Sequence, residues 1–95
     1  MSKTIWKYEL EPSTTLEMPV GAKILHVHEQ NDVMCLWALV DTEAPLEVRT
    51  FSVYGTGHPM HNHPMEYIGT AHLSGGSLVL HVFEDGPRKS HKAIR

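Results

Sequence analysis

Two stretches limit the fold more than anything else in the chain: Val33–Asp41 (VMCLWALVD) and Ser77–Glu84 (SLVLHVFE). Each is too short for a typical globular helix, and each is apolar on both faces of a two-residue repeat. In the first, Val33, Cys35, Trp37 and Leu39 oppose Met34, Leu36, Ala38 and Val40. In the second, Leu78, Leu80 and Val82 oppose Val79, His81 and Phe83. A strand covered on both sides is a central strand, part of a sandwich core, or one face of a subunit interface.

The rest of the chain alternates more simply. Ile5 to Glu11 sets Trp6, Tyr8 and Leu10 against Lys7, Glu9 and Glu11, the pattern of a half-buried strand. Pro12 ends it, and a shorter repeat at Thr15–Met18 predicts that the two form an opening hairpin. Lys23–Gln30 follows, with Leu25 and Val27 on one face and Ile24, His26 and His28 on the other. Asn31-Asp32 marks a tight turn. Glu47–Tyr54 alternates again, and Glu66–Leu73 contains Gly69, a sign of a bulge or a close backbone approach. No segment has a capped 3.6-residue period. About seven short strands at roughly ten-residue spacing predict an all-β chain, a small antiparallel sandwich or barrel.

Ninety-five residues make one domain. We place it at 1–85, with 86–95 as a basic tail. A chain of this length buries ~60–65% of its unfolded surface, a thin margin that favours homo-oligomers. The apolar runs are too short to span a bilayer, and the first residues show no leader pattern. Together with one cysteine, which permits no internal disulfide, this predicts a cytoplasmic protein. Cys35, in an apolar strand, reads as a small buried hydrophobe and not as a nucleophile. Four basic residues against eleven acids leave 1–85 at −7, whereas 86–95 holds four basic residues and no acid, for +4. So acidic a body argues against nucleic acid as partner except through the tail.

The chemistry-bearing residues gather in Gly55–Thr70, GTGHPMHNHPMEYIGT. His58, His61 and His63 give H-x2-H-x-H, followed by Glu66, donors that suit a divalent transition metal. His26 and His28, two apart on one strand, are further possible ligands. The loop is similar to the first metal motif of the cupins, G-x5-H-x-H-x3/4-E-x6-G, in the spacing of Gly55, His61 and His63. It departs from that motif in the two-residue gaps before Glu66 and before Gly69, and the second cupin motif is missing. Pro59 and Pro64 also interrupt the strand that would aim alternate side chains at one ion. The plainer reading is a loop of solvated histidines. His81, among apolar neighbours, reads as a hydrogen-bonded core histidine. No nucleophile elbow or phosphate-binding glycine loop is present, so the sequence does not point to an enzyme or to a required cofactor.

Several phrases together carry a wider resemblance: TIWKYEL (Thr4–Leu10), MPVGAKILHV (Met18–Val27), CLWALVD (Cys35–Asp41), RTFSVYGTGH (Arg49–His58), EYIGT (Glu66–Thr70) and GGSLVLHVFE (Gly75–Glu84). The set resembles a family of short uncharacterised proteins of bacteriophages and bacteria. The resemblance implies a phage-type accessory protein that acts by binding. Its expected role is counter-defence, sequestering a small nucleotide signal or masking a host protein; a structural or adaptor subunit is the alternative. Within the phrases, Gly55, Thr56, Gly57 and His58 form a turn whose backbone N–H groups could receive an anion. With Trp37 as a stacking surface and Arg49 as a cation, they make the candidate ligand site.

Overall fold

The computed structural model describes residues 2–10 and 15–86, in seven strands with no α-helix. The strands are β1 (Lys3–Glu9), β2 (Thr15–Pro19), β3 (Lys23–Gln30), β4 (Val33–Asp41), β5 (Leu46–Gly55), β6 (Met65–Leu73) and β7 (Leu78–Asp85); a single 3₁₀ turn, Ser74–Gly76, precedes β7. All pair antiparallel, in two sheets ordered β1-β4-β3 and β2-β5-β7-β6. The result is an open sandwich, and the barrel alternative does not apply. Beyond Gly86 the basic tail lies outside the described residues.

The two doubly apolar stretches are β4 and β7, and both are interior strands of their sheets. Met34, Leu36, Ala38 and Val40 of β4 point into the core, where they meet Val27, Phe51, Ala71, Val82 and Met18. Phe51 and Met18 are among the largest fully buried side chains. Truncating a residue such as Phe51 to alanine costs about 3–5 kcal/mol.

Two expectations are corrected. The opening hairpin does not form: β1 pairs with β4 and β2 with β5, so consecutive strands enter different sheets. Alternation shows that each strand is half-buried but does not name its neighbour. The faces of β3 also differ from a strict two-residue repeat. Its register with β4 shifts between Ile24 and His26, so Leu25 is the extra residue of a bulge. Ile24 therefore packs with Val27 toward the core, and Leu25 is 46% exposed. A bulge reverses the facing of everything on one side of it.

Turn chemistry follows the sequence closely. Asn31 and Asp32 both take positive φ (54° and 62°), as a two-residue type I′ hairpin requires. Gly69 lies beside a second bulge, between Tyr67 and Gly69. A Cβ placed on Gly69 would stand 3.0 Å from the Cβ of Val27, so the backbones of β3 and β6 approach there as only glycine allows.

Candidate functional site

Strand β5 delivers the chain to the glycine turn. His58 donates its backbone N–H to the Gly55 carbonyl at 3.1 Å, and Gly57 has φ 86°, the positive value expected at the third position of a type II turn. The His58 ring folds back over Gly55, so close that a Cβ there would lie 2.8 Å from two ring atoms. The second glycine thus supplies the turn, and the first makes room for the histidine.

From the turn, the histidine loop comes back over the outer face of the four-stranded sheet. His61 is anchored on Tyr54: its N–H donates to the Tyr54 hydroxyl at 3.3 Å, and its Nδ1 lies 3.1 Å from the same oxygen. His63 places Nε2 3.1 Å from Asp85 Oδ1, which also accepts the Ser52 hydroxyl at 2.7 Å. Tyr54 meets Phe83 edge-on at 6.0 Å between ring centres, and Phe83 meets Tyr67 at 5.5 Å. This is a continuous aromatic cluster on the side of the sheet away from the core.

Beside it runs a chain of polar groups. Thr56 Oγ1 is 2.7 Å from His81 Nε2, His81 Nδ1 is 3.1 Å from Thr70 Oγ1, and Thr70 Oγ1 is 2.6 Å from the Tyr67 hydroxyl. The β6 bulge makes this possible. Tyr67 and Thr70 are three apart and would face opposite sides of a regular strand, but Ile68 is the extra residue, so both point outward. His81 is hydrogen-bonded, as expected, but half-buried on the outer face and not in the core. Thr56 beside an imidazole resembles a nucleophile with its base. The second nitrogen of the ring faces the Thr70 hydroxyl, so the chain of bonds ties β5, β6 and β7 together.

The residues read as a metal set do not converge. His61 is engaged with Tyr54 and His63 with Asp85. Glu66 follows Met65 on β6 and so faces the opposite side of that strand from Met65 and Tyr67. His26 and His28 stack on each other at 5.6 Å on the outer face of the other sheet. Among the described residues no three His, Cys, Asp or Glu side chains are placed to hold an ion.

Nor does the proposed ligand set close into one pocket. Trp37 lies on the outer face of the three-stranded sheet, next to His26. Arg49 points inward from β5, six residues from Gly55, or about 20 Å along a strand. It is 4% exposed, and its Nε and Nη2 each lie 2.8 Å from the Glu84 carboxylate, while Nη1 donates to the Ala22 carbonyl. The Glu84 hydrogen bond holds the guanidinium pKa above its usual value. Its charge therefore serves the interior. Cys35 is 1% exposed, and burial pushes its thiol pKa up, which suits a packing residue.

A further cleft of about 370 Å³ opens between β3, β6 and the 3₁₀ turn, lined by His28, Glu29, Asp32, His72 and neighbours. Its carboxylates bind the local backbone: Asp32 Oδ1 accepts the Ser74 N–H at 2.6 Å, and Glu29 Oε2 accepts that of Asp32 at 2.8 Å. No sequence motif marked this cleft, the Arg49–Glu84 pair or the Thr56–His81–Thr70–Tyr67 chain. Only the shared face of His81 and Phe83 was readable, from the period of β7.

The chain belongs to a family defined as a domain of unknown function, DUF7352, whose model matches residues 1–93. No curated protein and no solved structure matches it.

Proposed function

We propose that this member of the family is a non-enzymatic binding protein whose partner is another protein, docked on the outer face of the four-stranded sheet. One observation carries the reading: Tyr67, 56% exposed, belongs to a ring cluster with Phe83, Tyr54 and His61, and Met60, 48% exposed, immediately precedes His61. Tyr, Phe and Met are enriched at the centres of protein interfaces, where large side chains bury much area at little entropic cost. The Tyr67 hydroxyl is already held by Thr70, so little ordering remains to be done on binding.

Charge decides between the two kinds of partner. Lys3, Lys7 and Lys23 lie on the outer face of the other sheet, and Arg49 is paired in the interior. Among the described residues the four-stranded face therefore offers no lysine or arginine, and it carries Asp85. Such a face suits a protein surface better than a phosphorylated nucleotide. As a phage-type accessory protein in the host cytoplasm, the chain would work by masking a host protein.

The test is capture of the partner by the wild-type protein and by a Tyr67→Ala, Met60→Ala double variant, with Val20→Ala, 49% exposed in the turn after β2, as a control off the sheet face. The double variant should lose the partner by tenfold or more, an interface hot-spot loss of at least ~1.4 kcal/mol, while the control retains it. Equal retention by all three, or stoichiometric co-purification of a nucleotide with no protein, would contradict the reading.

A further inference from the structure

The two open sheets have four edge strands, and three of them are protected. Strands β3 and β6 lie against one another, with Gly69 on Val27, and each carries a bulge. Strand β2 is five residues long and ends in Pro19. Bulges, proline, cover and shortness are the usual defences of an edge. Strand β1 has none of them. It runs seven residues without glycine or proline, and it keeps one register against β4 from Lys3↔Asp41 to Glu9↔Cys35. Among the described strands its only substantial neighbour is β4. Trp6 points inward with Thr4 and Tyr8, yet it is 39% exposed, because the four-stranded sheet makes little contact beneath β1.

The ladder to β4 shows which backbone groups β1 has left over. Thr42 donates its N–H to the Ser2 carbonyl, and Leu10 donates its own to the Met34 carbonyl. Both pairs continue the β1–β4 register, so the even-numbered residues direct their N–H and C=O groups to β4. Lys3, Ile5, Lys7 and Glu9 turn theirs to the open edge.

We propose that this edge pairs antiparallel with the same edge of a second copy, joining the two three-stranded sheets into one of six strands. A two-fold axis must set odd residues opposite odd residues, since only those carry free backbone groups. With the axis at Trp6 the whole strand is used. Lys3 then stands opposite the partner's Glu9, Ile5 opposite Lys7, Thr4 opposite Tyr8, and Trp6 opposite Trp6. Four hydrogen-bonded pairs give about eight backbone bonds. Symmetry makes the Lys3–Glu9 pair twice, and the open indole is covered by its counterpart. An axis at Ile5 would set Lys3 against Lys7, and an axis at Lys7 would set that lysine against itself. An axis at Tyr8 sets Lys7 opposite Glu9 but overlaps only three residues of each strand, as does one at Thr4. Lysine on an edge ordinarily discourages pairing. Here Lys3 gains a carboxylate, and the Lys7 ammonium is drawn away across β4 to Gln30 Oε1, at 2.6 Å. A seven-residue edge is about 24 Å long, a small contact, so the dimer is reversible. It leaves the outer face of each four-stranded sheet uncovered and does not depend on what that face binds.

Sedimentation equilibrium of the full chain from roughly 10 to 1,000 µM covers the affinities of such contacts. The mass should rise from 10.7 kDa toward twice that value. Glu9→Lys should weaken association about tenfold, because two attractive pairs become repulsive, and the double variant K3E/E9K should restore it. Ile5→Pro removes an edge N–H that β4 does not use, and should leave a monomer with the wild-type circular dichroism spectrum. Mild oxidation in a Cys35→Ala background reads the register. Trp6→Cys sets two Cα atoms about 4.5 Å apart, within disulfide reach, whereas Thr4→Cys sets them about 14 Å apart. Only the first should give a covalent dimer. A wild-type monomer across the range, or association unchanged by Ile5→Pro, would overturn the proposal. Equal crosslinking at positions 4 and 6, or no restoration by K3E/E9K, would overturn the register. A Trp6→Cys chain that forms disulfides with other proteins of a lysate but not with itself would assign the edge to a foreign strand, and would overturn the proposal as well.

Discussion

The buried ion pair between Arg49 and Glu84 gives the sharpest stability prediction. Both residues sit between the sheets, 4% and 6% exposed, joined by two hydrogen bonds of 2.8 Å. Removing Arg49 takes the guanidinium counter-ion from the buried Glu84 carboxylate, a change that costs about 3–5 kcal/mol. Arg49→Met also leaves the Ala22 carbonyl without its Arg49 donor. A chain of this length has roughly 5–14 kcal/mol of stability in all, so Arg49→Met should consume about a fifth of it or more. At 4–8 °C per kcal/mol, the melting temperature should fall by roughly 12–40 °C. The double variant, Arg49→Met with Glu84→Leu, removes both charges and replaces them with apolar volume. It should recover most of the loss, because a paired buried charge gains little over a well-packed apolar pair. Urea melts followed by circular dichroism measure all three proteins and close the cycle. A single-variant loss below about 1 kcal/mol, or a double variant as unstable as the sum of the singles, would refute the assignment of this pair to the dry interior.

Four smaller effects follow from the same geometry. Tyr8→Phe should be neutral or stabilising by about 1 kcal/mol in a urea melt, because the Tyr8 hydroxyl is buried with no hydrogen-bond partner. Gly69→Ala should destabilise by about 1 kcal/mol, against the usual gain for such a change in an open strand, since the new methyl group meets Val27 at 3.0 Å. Gly57→Ala should cost about 1–2 kcal/mol in thermal stability for its φ of 86°. Asp41 is held below the usual carboxylate range by the backbone N–H groups of Glu43 and Ser2. Its contribution is therefore present above about pH 4, the unfolded value, and is lost as pH falls through the lower folded value. Asp41→Asn should flatten that part of an acid titration of stability.

Local rules carried the sequence reading a long way. The doubly apolar stretches identified two of the three interior strands, β4 and β7, whereas β5, between β2 and β7, keeps an alternating sequence. Asn31-Asp32 identified its turn, and Gly69 marked the place where β3 and β6 approach. Pairing was not legible. Nothing in Trp6, Tyr8 or Leu16 records which strand lies alongside, so the predicted opening hairpin was replaced by partners in two different sheets. Facing was lost wherever a bulge intervened, which misplaced Ile24 and hid the alignment of Tyr67 with Thr70. The candidate site residues are dispersed for a related reason. Trp37, Arg49 and His58 were grouped by chemical type, but alternation directs Trp37 outward from one sheet and Arg49 inward from the other, while His58 lies a strand-length away on the turn. A charge 35 residues distant, Glu84, claimed the arginine.

The central claim is that the outer face of the four-stranded sheet meets a protein. The most direct measurement replaces Tyr67 with a photo-crosslinking phenylalanine analogue in the full chain and irradiates it in living cells that produce it. The account predicts one dominant crosslinked protein, absent when the analogue stands at Val20 in the turn after β2 and depleted when Met60→Ala is added. A crosslinker at position 67 that captures nothing, or captures the same proteins as the one at Val20, would contradict it.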